Sequence, residues 1–301
     1  MKLKKLIKAL VPEAIKMYRA DRKGKLLQGI RKEQRGLEIG PSHSPIAAKR
    51  NGYCVESVDW LSEDELKEHY KNAGVNLEEI EPVDYIWKGG SYYELIRKDN
   101  YYDYIIASHM IEHSTNFCGF LNDCSKLLKQ NGILRLAVPD KRYCFDHYRM
   151  TTGLAEVVDN AHMPDRLQSV GNVAEYYMNV VKRKGSLSWE KPFLPIVNDI
   201  MNHRTEDFTF VHDRNTALDG MKRVGKGEYI DIHHYVFTPA SFELLIHDLR
   251  LLEMIDLKIT HMWDTKGNEF IVTLQKTEEE PEWNPQYRRR LLRIRDKQNR
   301  V

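Results

Sequence analysis

From Gly36 to Asp140 short apolar runs alternate with amphipathic stretches, and this rhythm constrains the fold more than any other feature of the chain. The apolar runs are Leu37–Gly40, Tyr53–Asp59, Val83–Trp87, Tyr104–Ser108 and Ile133–Val138. Runs of this length, bounded by glycine, proline or acids, read as buried strands. Helical patterns separate them at Ile46–Asn51, Glu63–Lys71 and Tyr92–Arg97. The clearest helix follows, where Phe117, Phe120, Leu121, Cys124, Leu127 and Leu128 share one face and Asn131-Gly132 supplies a left-handed stop. Strands spaced by helices pair in parallel through right-handed crossovers, so the expected class is α/β with an open, doubly wound, mostly parallel sheet.

Beyond Asp140 the rhythm is lost until about residue 228. Val173–Arg183 and Thr216–Val224 read as helices, with an irregular aromatic stretch around Trp189, Pro192, Phe193 and Pro195 between them. This is expected to be a mainly helical insertion that lids or walls a site. The sheet pattern then resumes. Thr238-Pro239 opens a helix, as N-cap and first helical residue, and Leu257–Met262 and Phe270–Gln275 form an antiparallel C-terminal hairpin. The expected organisation is a basic N-terminal segment over 1–35, a core over 36–140 and 228–277, the insertion over 141–227, and a charged tail over 278–301, whose default reading is a solvated terminal helix.

A net charge of +2 over 301 residues argues against nucleic acid as a partner. The four cysteines show no C-x-x-C spacing, which points to reduced thiols and a cytoplasmic setting. No apolar run reaches the roughly 18–20 residues of a membrane span. Residues 1–35 carry twelve Lys/Arg against three Asp/Glu, with Leu3, Leu6, Ile7 and Leu10 at helical spacing. That element either packs on the protein or rests peripherally on the anionic inner-membrane surface. Lys8 and Pro12 interrupt its apolar part, unlike a signal peptide.

Open α/β sheets bind ligands beyond the carboxyl ends of their strands. Here those ends carry Glu38-Ile39-Gly40 with Pro41 and Ser42 after them, Asp59, Ser108-His109 and Pro139-Asp140. Asp59, closing the second strand, stands where an acid takes both hydroxyls of a ribose. The three-glycine turn that cradles a pyrophosphate is missing, which argues against a dinucleotide.

LEIG (37–40), SVD (57–59), YDYIIASHMIEH (102–113), NGILRLAVPD (131–140) and the 257–275 hairpin together resemble the class I S-adenosylmethionine-dependent methyltransferases. The resemblance implies a seven-stranded Rossmann-like sheet and S-adenosyl-L-methionine as cofactor, held by Glu38, Gly40, Pro41, Ser42, Asp59, Ser108 and His109. It departs in the first motif, where Pro41-Ser42-His43-Ser44-Pro45 replaces the later glycines. LEIGPSHSPI and PDKRYCFD also resemble a bacterial subgroup associated with surface-polysaccharide synthesis. That likeness is one of context and identifies no acceptor; the chemistry expected of the chain is O-methylation of a saccharide or other polar hydroxyl acceptor.

Methyl transfer to a hydroxyl needs alignment and a base. The candidates are His113, Asp140 and His147, with Arg142, Tyr143, His233 and His234 placed to bind the acceptor. His203, His212, Asp207, Asp213, Asp231 and His233 are too scattered in sequence to predict a metal, and none is expected. The rival readings are a quinone, lipid-linked or RNA acceptor, or a non-catalytic scaffold that kept the fold. Oligomeric state is not legible.

Overall fold

A computed structural model describes residues 20–163, 168–192 and 205–299. The basic amphipathic stretch up to residue 19, Phe193, Pro195 and His203 lie outside them. The first half of the described chain gives β1 (Gly36–Ile39), β2 (Val55–Asp59), α1 (Glu63–Tyr70), β3 (Tyr85–Ile86), α2 (Tyr92–Ile96), β4 (Tyr102–Ser108), α3 (Phe117–Leu127) and β5 (Leu128–Pro139). The insertion contributes α4 (Leu154–Ala161), α5 (Val170–Asn179), β6 (Val181–Arg183), β7 (Phe208–Phe210) and α6 (Arg214–Gly225). The chain closes with α7 (Pro239–Leu251), β8 (Leu257–Lys266), β9 (Glu269–Lys276) and α8 (Pro285–Gln298).

Seven strands form one sheet in the order β3-β2-β1-β4-β5-β9-β8, with β6 and β7 apart as a two-stranded ribbon. The pairs from β3 to β5 are parallel, whereas β5 with β9 and β9 with β8 are antiparallel. The strand order reverses between β1 and β4, so the crevice beyond their carboxyl ends is the switch point where such sheets bind ligands. Both faces are covered, and all four residues of β1 are buried.

Local chemistry explains the element boundaries. Ser62 makes a full capping box with Glu65 ahead of α1, and Thr238 does the same with Ser241 ahead of α7. Under the sheet, Phe117, Phe237, Phe242 and Phe270 interlock with ring centroids 5.2 to 6.0 Å apart. Burying each ring contributes roughly 1.5–3 kcal/mol, which fixes α7 and β9 against α3.

The structure corrects several local expectations. Only a short 3-10 turn, Lys49–Asn51, stands where Ile46–Asn51 was expected to be helical. The N–H groups of Ile46 and Ala47 are instead given to the Glu38 carboxylate. Asn131-Gly132 does not end α3, which stops at Leu127. Asn131, at φ 63, sits in a bulge where the pairing jumps from Tyr102↔Leu128 to Tyr104↔Ile133. The run Val173–Arg183 divides into the end of α5 and strand β6, whose Val181 N–H binds the Phe145 carbonyl. The charged tail is not merely solvated: α8 packs on α7, with Leu291 buried and Arg288 Nη2 2.8 Å from Asp248 Oδ2. Among the described residues no helix is long and apolar enough to cross a membrane.

Candidate active site

The loop after β1 is braced from below. Glu38 is 3% exposed and accepts the Ile46 N–H at 2.7 Å and the Ala47 N–H at 2.9 Å. Burial pushes its carboxyl up to about 7 against the pull of those two donors. Expected to bind cofactor, Glu38 spends both oxygens on the loop backbone and shapes the site from behind. Gly40, at φ 71, lies so close to Met110 that a Cβ there would sit 2.6 Å from its sulfur. Ser42 takes a left-handed φ of 51 without being glycine. That conformation aims its N–H at Asp59 Oδ2, 2.7 Å away, and its Oγ lies 2.8 Å from the Tyr70 hydroxyl.

Asp59 is 4% exposed and also accepts the Trp60 N–H, at 2.9 Å. Burial raises its pKa while the Ser42 and Trp60 amides oppose the shift. A carboxylate offers about four acceptor positions, so two amides leave room for two hydroxyls.

At the end of β4 the side chains expected to reach the cofactor join an ionic chain. Arg22, on the helix before β1, forks onto Glu269 (Nε to Oε1 2.5 Å, Nη2 to Oε2 3.0 Å) and also donates to Ser108 Oγ. His109, at φ 53, places Nε2 2.7 Å from Glu269 Oε2. Burial alone would lower the His109 pKa, but Glu112 and Glu269 carry it to about 9. For Glu269 the opposing burial loses to His109 and Arg22, leaving its carboxyl near 2. Arg22 and Glu269 escaped the sequence reading. Glu269 could have been found from the hairpin, because an antiparallel β9 must begin beside Pro139, at the carboxyl end of β5.

One turn further, Glu112, His113 and His233 converge. Ile111–His113 form a 3-10 turn, and the returning chain is stitched to it by the N–H groups of His234 and Tyr235, 2.7 and 3.1 Å from the Glu112 carbonyl. His113 Nδ1 meets Asp231 Oδ1 at 2.7 Å, and His233 Nδ1 meets Asp146 Oδ2 at 2.6 Å. The two imidazoles lie edge to face, 4.8 Å apart. Glu112 is 1% exposed, yet neither carboxylate oxygen has a hydrogen-bond partner. His109 Nδ1 stands 3.4 Å and His233 Nε2 4.0 Å from its Oε1.

The remaining candidates are placed elsewhere. Asp140 is fully buried; Arg142 forks onto it (Nε to Oδ1 2.9 Å, Nη2 to Oδ2 2.5 Å) and Thr265 Oγ1 adds a third donor. That closed ion pair leaves neither partner disposed to act on an acceptor, and Tyr143 is buried beside it. His147 stacks on Phe208 (4.6 Å, 14°) near Trp189 and is 1% exposed. Burial, then the Lys141 charge, push its pKa down to about 4. It is a neutral core histidine of the insertion, not a base in the cleft. His234 is also buried, against Gln168, and burial pushes it down to about 4. Of the scattered set, His212 packs on Tyr177 and Asp213 caps α6.

These residues fit S-adenosylmethionine. Asp59 would take the ribose hydroxyls, and the Gly40–Ser42 backbone with the β4 end would flank the methionine side. When bound, the cofactor supplies a methyl group activated on a sulfonium sulfur. The strand order, with β9 antiparallel beside β5, and the switch-point crevice make a Rossmann-like sheet of the kind that methyltransferases use. The family model described as a methyltransferase domain matches residues 13–175, more than half of the chain, and the chain belongs to that family as an S-adenosylmethionine-dependent methyltransferase.

Solved structures similar to it include a SAM-dependent methyltransferase from Methanosarcina mazei (14% identity, TM-score 0.42, covering 83% of this chain and 95% of that one). Another comes from Aquifex aeolicus (11%, 0.41, 85% and 89%). A third comes from Mesorhizobium loti (10%, 0.40, 83% and 95%). No curated protein matches.

Proposed function

We propose that the enzyme methylates an oxygen of a small polyhydroxylated acceptor, with a saccharide destined for surface polysaccharide as the favoured class. The observation that carries the reading is Glu112, a buried carboxylate with no hydrogen-bond partner beside His113 and His233. A buried acceptor group of this kind calls for a donor from outside the protein, and an acceptor hydroxyl is such a donor. The surroundings (Glu112, His113, His233, Asp231) are polar, which suits a sugar better than the flat apolar ring of a quinone. The likeness of LEIGPSHSPI and PDKRYCFD to polysaccharide-associated proteins points the same way.

In the reaction, the hydroxyl proton is drawn off at the Glu112–His113–His233 cluster. The oxygen lone pair forms the bond to the methyl carbon as the carbon–sulfur bond breaks, releasing a neutral thioether. Asp59 and the loop it braces hold the donor side, and the cluster holds the acceptor side.

The test is incubation of purified protein with methyl-labelled S-adenosylmethionine and parallel panels of nucleotide sugars and oligosaccharides, quinols and RNA. Label in an ether methyl of a saccharide is the expected result. Label confined to quinols or RNA would overturn the acceptor class.

A further inference from the structure

We propose that Glu112, His113 and His233 bind one divalent transition-metal ion. One ligand atom from each lies within 4.8 Å of the others. Donors at about 2.1 Å on a tetrahedral ion stand roughly 3.4 Å apart, so binding needs the three side chains to close by up to about 1.4 Å.

Three further features point to an ion rather than to a polar network that is complete in itself. The first is the state of Glu112: both oxygens are buried without a hydrogen-bond partner, and Oε1 stands 3.4 Å from His109 Nδ1 and 4.0 Å from His233 Nε2. The second is how the histidines are held. Each has Nδ1 against a carboxylate, Asp231 for His113 and Asp146 for His233, which leaves both Nε2 atoms as the coordinating nitrogens. A carboxylate behind each ligating imidazole is the usual outer support of a metal site. The third is rigidity on one side and openness on the other. Arg149, within the insertion, binds Asp146 Oδ1 at 2.8 Å, the His233 carbonyl at 2.8 Å and Glu175 at 2.6 Å. On the other side the His113 and Asp231 side chains are 28% and 72% exposed, so a small molecule can approach.

Two imidazoles and one carboxylate suit zinc, iron or nickel better than magnesium or calcium, and three protein ligands leave coordination positions open. Sequence spacing concealed the set, since Glu112 and His113 are adjacent while His233 arrives only when the insertion has returned to the sheet. The inference deepens the hydroxyl chemistry proposed above, because an ion here would take an acceptor oxygen at an open position and favour loss of its proton. Metal binding itself can be tested without an acceptor.

The full chain, stripped with a chelator, is titrated with Zn²⁺ by calorimetry and with Co²⁺ by visible absorption, and metal content is measured after dialysis. One ion per chain is expected, with a ligand-field spectrum for Co²⁺. His113→Ala and Glu112→Gln should abolish stoichiometric binding. Asp231→Asn, at an exposed position that will not unfold the protein, should weaken binding roughly 10- to 100-fold. Absence of binding to the wild type, or unchanged binding in both His113→Ala and Asp231→Asn, would overturn the site. Metal binding without methylation of any hydroxyl would overturn the acceptor class alone; hydroxyl methylation by a protein that binds no metal would overturn the ion alone.

Discussion

His109 Nε2 lies 2.7 Å from Glu269 Oε2, and this contact ties the end of β4 to the start of β9 across the intervening β5. Arg22 forks onto the same carboxylate. Three segments distant in sequence therefore meet on Glu269 at the carboxyl edge of the sheet. Removing it leaves two cationic groups without their partner. Glu269→Ala should cost about 3 kcal/mol in denaturant unfolding, near the lower end for breaking a buried pair, because Arg22 is partly solvated. The acid also predicts a pH dependence. Its folded pKa, about 2, lies below the ordinary 4.5, so its stabilisation is present above pH 4.5 and is lost as pH falls toward 2. Thermal melts between pH 5 and 2.5 should drop more steeply in the wild type than in Glu269→Gln.

Glu38 predicts the opposite sign. Its carboxyl is raised to about 7, so the folded protein holds a proton that the unfolded chain releases near pH 4.5. Stability contributed through this group should decline as pH rises from about 4.5 to 7, by an amount on the order of 3 kcal/mol. Glu38→Gln should flatten that decline in chemical denaturation followed at several pH values. The same slope in both proteins would remove Glu38 as its source.

Asp59 braces Ser42 and stands where it would accept the ribose hydroxyls. Asp59→Ala loses two charged hydrogen bonds to the cofactor at roughly 1.5–3 kcal/mol each, and affinity for S-adenosylmethionine should fall at least 100-fold by calorimetry. Unchanged affinity would remove the ribose assignment.

His147 and His113 separate a core histidine from a working one. His147→Phe keeps a ring against Phe208 and forfeits one hydrogen bond to the Arg142 carbonyl, so stability should change by about 1 kcal/mol and methyl transfer should survive. His113→Ala should lower turnover by roughly 10²–10⁴-fold with cofactor affinity kept. Steady-state rates beside cofactor titrations distinguish the two.

The strands were legible because a parallel sheet covered on both faces needs continuous apolar runs such as Tyr104–Ser108, and Asp59 was legible because strand order dictates where β2 ends. What the sequence hid depended on contacts between distant segments. The Glu112 cluster exists because the amides of His234 and Tyr235 dock on the Glu112 carbonyl, a pairing no local pattern records. Asp140, Arg142 and His147 read as site-facing because polar residues leaving the carboxyl end of a strand are poor material for a core. The insertion closes over His147, and Thr265 of β8 completes the Asp140–Arg142 pair. Asn131-Gly132 carried a genuine left-handed signal, but the bulge in β5 used it rather than the end of α3.

The proposed reaction places the acceptor hydroxyl at the Glu112–His113–His233 cluster. Its most direct test is the transfer of labelled methyl from S-adenosylmethionine to hydroxyl acceptors by the wild type and by Glu112→Gln, with cofactor affinity measured on both. The expected result is an ether methyl on the acceptor with the wild type and a loss of at least 100-fold in Glu112→Gln at unchanged cofactor affinity. Full transfer by Glu112→Gln would contradict it.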